Sequence, residues 1–318
     1  GIPAEPLFRS RDKWTLVIAN NMAAVFDRWN HALAHSGPYL VYRQYYSELN
    51  RFYWASHSGH KITYTEMTNK GYTWDSNPDA VLGLPAHNHS FPTLRDWATA
   101  YDQLQVWTRL NVVISLASIL ETFIDSVCGL AIESNPGVLI NASKSLDGVS
   151  LLKTKRLERE VIENAIEDIA KGTWPQRRSA FDVLFGGHPV ELDTYEADLE
   201  ELRKKRNSVG HAFGRDIDKA RRFEEIKPLP LDGIRQEKLI HFFDITLRVA
   251  SAIDQYLLDN HIGEYQALFS FHVFYTHNQD KNWSDKEMAK AFRKYFLTDS
   301  MPLGKEFFND LLDYYKNA

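Results

Sequence analysis

A single cysteine, Cys128, occurs in 318 residues. An intramolecular disulfide and a four-cysteine zinc site are therefore excluded, and a reducing, cytoplasmic setting is the simplest expectation. An excess of positive charge is lacking too. The formal net charge is −5, so the whole molecule is not a polycation built to coat nucleic acid, and any nucleic-acid site has to be local. There is no internal repeat and no low-complexity tract, which removes solenoid architectures. One apolar run, Leu110 to Ile132, is long. Glu121 and Asp125 interrupt it, and each acidic residue costs about 2.5–3.5 kcal/mol inside a membrane span. A buried helix is expected there, with no membrane partner. The chain opens on Gly1 rather than methionine, which is read as a remnant of processing without structural meaning.

What is present is ordinary globular composition, with 44% hydrophobic and 25% charged residues, enough for one large core or a few smaller ones. Periodicity predicts a mainly α protein, an antiparallel helical bundle with helical flanking regions and one small N-terminal β-hairpin. A first helix is expected over Arg11–His35, and a second from Pro38 to about Ala55. The stretch Lys61–Asp75 alternates β-branched and aromatic residues around Asn69-Lys70-Gly71, which predicts the hairpin. A linker rich in turn formers follows, up to Thr93. Beyond it, helices are expected over about 94–133 with one possible break, 150–171, from Pro175 to before Gly186, 192–209 and 236–260. Two or three more complete the chain, one opened by the capping box Ser284/Glu287. Three segments result: 1–92, 93–260 and 261–318.

Within the helix from Leu192 to Val209, the apolar stripe Tyr195, Leu199, Leu202, Val209 has one missing member, and Arg206 occupies it. A guanidinium on a core-facing seam must reach solvent, find a carboxylate or grip an anion. Asn207 and His211 are four apart and share a face. His211 lies about 140° around the helix from Arg206. Gly210 and the Ala212-Phe213-Gly214 run then end the helix. Between residues 203 and 222, eight basic side chains stand against two acidic ones, a local field attractive to phosphate. Arg203, Lys204, Lys205 and Arg215 are the candidate phosphate binders.

The run Leu202–His211 resembles the R-x4-6-H signature of the HEPN superfamily (higher eukaryotes and prokaryotes nucleotide-binding), in which a polar residue, often Asn, follows the Arg. Arg206, Asn207 and His211 match it. The earlier helix around Ser115–Val127 resembles the family's early core helix, whose acidic residue commonly lies near the Arg; Glu121 matches that position. The resemblance covers roughly residues 101 to 260. It implies a helical bundle that dimerises, with two motifs facing one composite cleft. It also implies a metal-independent endoribonuclease of the kind found in toxin, abortive-infection and CRISPR-linked defence systems, or a member that only binds nucleotides. An antitoxin or other regulatory partner is a further implication. Arg206, His211, Asn207 and Glu121 would be the catalytic residues, with no cofactor and no metal.

The chemistry suits these residue types. RNA carries its own nucleophile, the 2′-hydroxyl; cleavage needs a proton removed there, one given to the 5′-oxygen, and charge stabilised at phosphorus. An imidazole, with an ordinary pKa near about 6.5, serves as base or acid, and a guanidinium stays charged at any working pH. Two non-enzymatic readings stand beside this one: a helical module that binds a nucleotide or RNA in the same cleft, and a partner-binding protein in which Arg206 is simply ion-paired. Histidine pairs elsewhere (His31/His35, His57/His60, His87/His89) would form a zinc site only if loops converged. The aromatic N-terminal set is expected to be core rather than a base-stacking platform.

Overall fold

The computed structural model describes residues 25–83, 91–154, 156–215, 229–296 and 303–318. Among the described residues the chain is helical, with no strand beyond an isolated bridge between Asp27 and Asn30. In chain order the helices are α1 (Gly37–Asn69), α2 (Pro78–Leu82), α3 (Leu94–Ser134), a 3₁₀ turn (Pro136–Ile140), α4 (Gly148–Lys153), α5 (Arg159–Ala170), α6 (Trp174–Phe185), α7 (Val190–Thr194) and α8 (Glu196–Ala212). Then come α9 (Gln236–Leu257), a π turn (Leu258–Ile262), α10 (Tyr265–Thr276), α11 (Asp285–Phe296) and α12 (Lys305–Asn317).

Two sequence expectations are corrected. The hairpin at Lys61–Asp75 is instead the last nine residues of the 33-residue helix α1 and the turn after it. A helical period lies beneath the β-like alternation: Tyr53, His57, His60 and Tyr64 recur at spacings of four, three and four. The Tyr64 hydroxyl reaches Ala98 O and Asp102, both at 3.1 Å, and the His60 ring lies 4.3 Å from that of Tyr101. The threonines are accommodated because Thr63, Thr65 and Thr68 donate to carbonyls four residues back. Packing against α3 thus overrides β-propensity. The second correction concerns Arg11–His35. Residues 11–24 lie outside the described residues, and 25–36 form turns, not helix. His31 and His35 therefore share no helical face; they pair with Asp259 and Asp254.

Elsewhere the differences are smaller. α3 runs unbroken for 41 residues. The expected helix over 150–171 is two, α4 and α5, and that over 192–209 is α7 followed by α8. The Ser284/Glu287 box forms as expected, with Ser284 N and Oγ donating to Glu287 at 2.8 and 2.7 Å. By length and composition α3 could cross a membrane, with half of its apolar window buried in the protein.

The chain divides into two compact units that interleave along the sequence. The first takes in Gly1–Val41, Thr122–Asp193 and Val249–Ala318. Its core is rich in aromatic contacts: Phe271 meets Phe292 and Tyr315, each at 5.0 Å. Arg28, 4% exposed, lies within it and bonds Asp147, Ser134 and the Ile262 carbonyl. Gly263 has φ 51°, and a side chain there would come 2.2 Å from the Arg28 carbonyl oxygen, so only glycine fits.

Beside it Glu264 is 1% exposed. Ala32 N donates to its Oε1, and among the described residues Oε2 has no hydrogen-bond partner. Burial pushes this carboxyl up to about 7, against the opposing pull of Ala32 N, His31 and Arg28. Between its unfolded and folded pKa the folded state holds a proton that the unfolded state has lost, so stability falls as pH rises through this window. Relative to Glu264→Gln, the protein is expected to lose up to about 3 kcal/mol between pH 4.5 and 7. Urea unfolding of both proteins across that range checks it, and a constant difference would refute it.

The second unit takes in Tyr42–Glu121 and Thr194–Arg248. Its core packs Leu110, Val113 and Leu116 of α3 against Leu202 and Val209 of α8, with Leu239 and Phe242 of α9. This unit holds the motif.

Candidate functional site

Helix α8 opens with Glu196 and Asp198 in its first turn, where the helix dipole favours acids. Leu199, Leu202 and Val209 are buried at 0, 2 and 6% exposure, so these three members of the stripe face the core, while Tyr195 is half-buried and caps the helix. The helix stops at Phe213, whose φ of 53° is left-handed. Gly214 follows at φ 69°, where a Cβ would strike Leu110 at 2.6 Å. Ser208 Oγ donates to Arg215 O at 2.8 Å, and Asp232 N to Gly214 O at 2.6 Å. The end that carries His211 is therefore pinned.

Arg206 sits on this scaffold as the sequence required of a cation on an apolar seam: it finds a carboxylate. Its Nη2 donates to Glu121 Oε2 of α3, and its Nη1 to Asn207 Oδ1 at 3.0 Å. The side chains of Arg206 and Glu121 are 34% and 22% exposed, so the pair lies at the boundary between core and solvent. A guanidinium has five N–H donors, and these two bonds leave others to face an incoming anion. His211 is exposed, in the last turn of α8, about 7.5 Å further along the helix axis. Among the described residues its ring makes no hydrogen bond. Arg206, Asn207 and Glu121 are thus brought into one bonded group, with His211 presented to solvent on the same helix.

The basic neighbourhood is less open than its sequence suggests. Arg203 makes a two-pronged pair with Glu200, Nε at 2.9 and Nη2 at 2.7 Å. Those hydrogen bonds, aided by the charges of Glu200 and Glu121, raise the pKa of Arg203. Lys205 pairs with Asp232 at 2.6 Å. Arg215 donates to the Leu229 and Phe213 carbonyls at 2.7 and 3.2 Å. Lys204 remains 71% exposed, 4.0 Å from Glu200. The other charges of the run, Asp216, Asp218, Lys219, Arg221 and Arg222, lie outside the described residues. Glu200 was the neighbour missed in the sequence. Its signal was present, three residues before Arg203 and four before Lys204. Asp232, far along the chain, gave no such signal. A second network passed unnoticed: Asp198 accepts from Lys238 at 3.0 Å and lies 3.1 Å from His241.

His57 stacks beside Tyr53, and His60 pairs with Asp102 at 3.4 Å; His87 and His89 lie outside the described residues. Among the described residues no three His, Cys, Asp or Glu side chains converge as metal ligands. No protein-family model matches this chain, and comparison with curated proteins and with solved structures finds no match.

Proposed function

We propose that this protein is a metal-independent endoribonuclease of the HEPN type, cytoplasmic, acting as a homodimer with a composite cleft in a toxin or phage-defence setting. The observation that carries the proposal is the group on α8 and α3. A permanent cation is held by Glu121 and Asn207, and an exposed imidazole follows on the same helix. In the reaction the 2′-oxygen attacks phosphorus, the bond from phosphorus to the 5′-oxygen breaks, and a 2′,3′-cyclic phosphate and a 5′-hydroxyl result. His211 takes the 2′-hydroxyl proton or supplies the one received by the leaving oxygen. Arg206 stabilises charge on the non-bridging oxygens, Asn207 and Glu121 fix its orientation, and Lys204 adds attraction for the backbone. Incubating the protein with total RNA in EDTA should yield those two end groups, and His211→Ala should yield them at least about 10²-fold more slowly. Loss of activity on chelation, or 3′-hydroxyl ends, would refute the chemistry.

A second reading draws on a specific observation. Arg206, Arg203 and Lys205 are all matched by carboxylates, as in a module that binds RNA or a protein partner without cleaving. It predicts salt-sensitive RNA binding with intact RNA recovered.

A further inference from the structure

A positive surface without ion pairs among the described residues lies in the first unit, on α11. Lys286, Lys290 and Lys294 recur every four residues, and Arg293 sits three beyond Lys290. Helical geometry places all four within an arc of about 100°, along about 12 Å of axis. All four are exposed, and among the described residues none joins an ion pair. The helix's own acids are committed elsewhere. Asp285 pairs with Lys316 of α12. Glu287 accepts both Ser284 donors in the capping box, which lowers its pKa.

Like charges three and four apart destabilise a helix, so α11 carries a repulsion that its sequence could have avoided by alternating sign. A bound polyanion relieves it. The identity of the polyanion follows from the opposite face. Met288, Ala289 and Phe292 are 6, 3 and 0% exposed, their apolar surface spent against α10 and α12. A helix that lies in a lipid surface needs that face for the bilayer; here it is spent, and besides Tyr295, 63% exposed, α11 offers charge. A row of cations beside a single exposed ring suits the repeating charge of a phosphodiester chain.

We propose that the α11 face of Lys286, Lys290, Arg293 and Lys294 is a docking surface for the backbone of single-stranded nucleic acid, independent of the motif on α8. The test is fluorescence anisotropy of the full chain with a labelled 2′-O-methyl RNA. This probe lacks the nucleophilic hydroxyl and survives whether or not the protein cleaves RNA. A DNA strand of the same sequence, a polyglutamate peptide and anionic vesicles form the other arms. Four backbone contacts predict a roughly 50-fold weakening of binding between 50 and 200 mM salt. Changing all four residues to Gln should remove most of the binding and of its salt dependence, with the melting curve unchanged. Changing Arg43, Arg51, Lys61 and Arg95, four exposed cations of the second unit, to Gln should retain binding. The DNA arm decides whether the sugar matters; equal binding assigns the surface to the phosphate alone, and tighter RNA binding to RNA. No binding by the wild type, equal loss in both quadruple variants, or preference for polyglutamate or vesicles overturns the proposal. A wild type that cleaves RNA but does not bind 2′-O-methyl RNA would sink this inference alone, and one that binds it but does not cleave RNA would sink only the proposed nuclease.

Discussion

His211→Ala should lower RNA cleavage by about 10²- to 10⁴-fold, the usual worth of a general acid or base, and leave the melting curve in place. The ring is exposed and makes no hydrogen bond among the described residues, so little in the fold depends on it. Arg206→Ala should cost about 10²- to 10³-fold, the range for losing one preorganised charge-stabilising donor. It should also destabilise slightly, because Glu121 loses one of its charged neighbours. Arg206→Lys should not restore the rate, since an ammonium cannot bond Glu121, Asn207 and a phosphate in one plane. Glu121→Gln separates the two readings of the site. If Glu121 orients the guanidinium for catalysis, the rate falls while RNA affinity holds. If the pair is only structural, a double-mutant cycle between Arg206 and Glu121 shows coupling in stability, with no change in any RNA readout.

The second large effect concerns folding. Arg28→Ala should destabilise the first unit by about 3–5 kcal/mol, the cost of breaking a buried ion pair by removing one partner. The guanidinium spans three parts of the chain. It meets Asp147 through Nε and Nη2, the Ser134 carbonyl at 3.0 Å and the Ile262 carbonyl at 2.9 Å. It also lies 4.1 Å from the centre of the Trp29 ring. Without it, the two carbonyls and the carboxylate each lose a donor, although Asp147 retains Tyr314 Oη at 2.5 Å and Val149 N at 3.0 Å, and the Ile262 carbonyl retains Ser134 Oγ at 2.9 Å. Arg28→Lys should recover only part of the loss, because one ammonium cannot reach three acceptors set in a fork. Denaturant unfolding followed by tryptophan fluorescence measures it. A loss below about 1 kcal/mol, the scale of a surface pair, would show that the network contributes no more than an exposed contact.

Helices with strong period or clear ends were legible from residue order alone. α6 carries the Thr173/Gln176 capping box, an early proline and Gly186 at its close; α9 has a broad apolar face. The failures share one cause. Residues 61–75 have β-forming side chains, yet their spacing lets His60 and Tyr64 pack on Trp97, Tyr101 and Asp102, residues nearly forty positions away. Residues 25–36 look helical, yet Arg28, His31 and His35 are drawn to Asp147, Asp259 and Asp254, more than a hundred positions away. Neither partner set can be read from a local window.

At the site, the sequence by itself determined that Arg206 falls on a seam of buried residues and needs compensation, because periodicity and the cost of burying charge are local and general facts. It also determined that Asn207 and His211 share one helix face. Only the tertiary structure decided how much positive charge survives. Glu121 and Asp232 reach Arg206 and Lys205 across the fold, whereas among the described residues the cations of α11 meet no such partner. Net field depends on distances in space, and a count along the chain carries no information about which carboxylates will close around which cations.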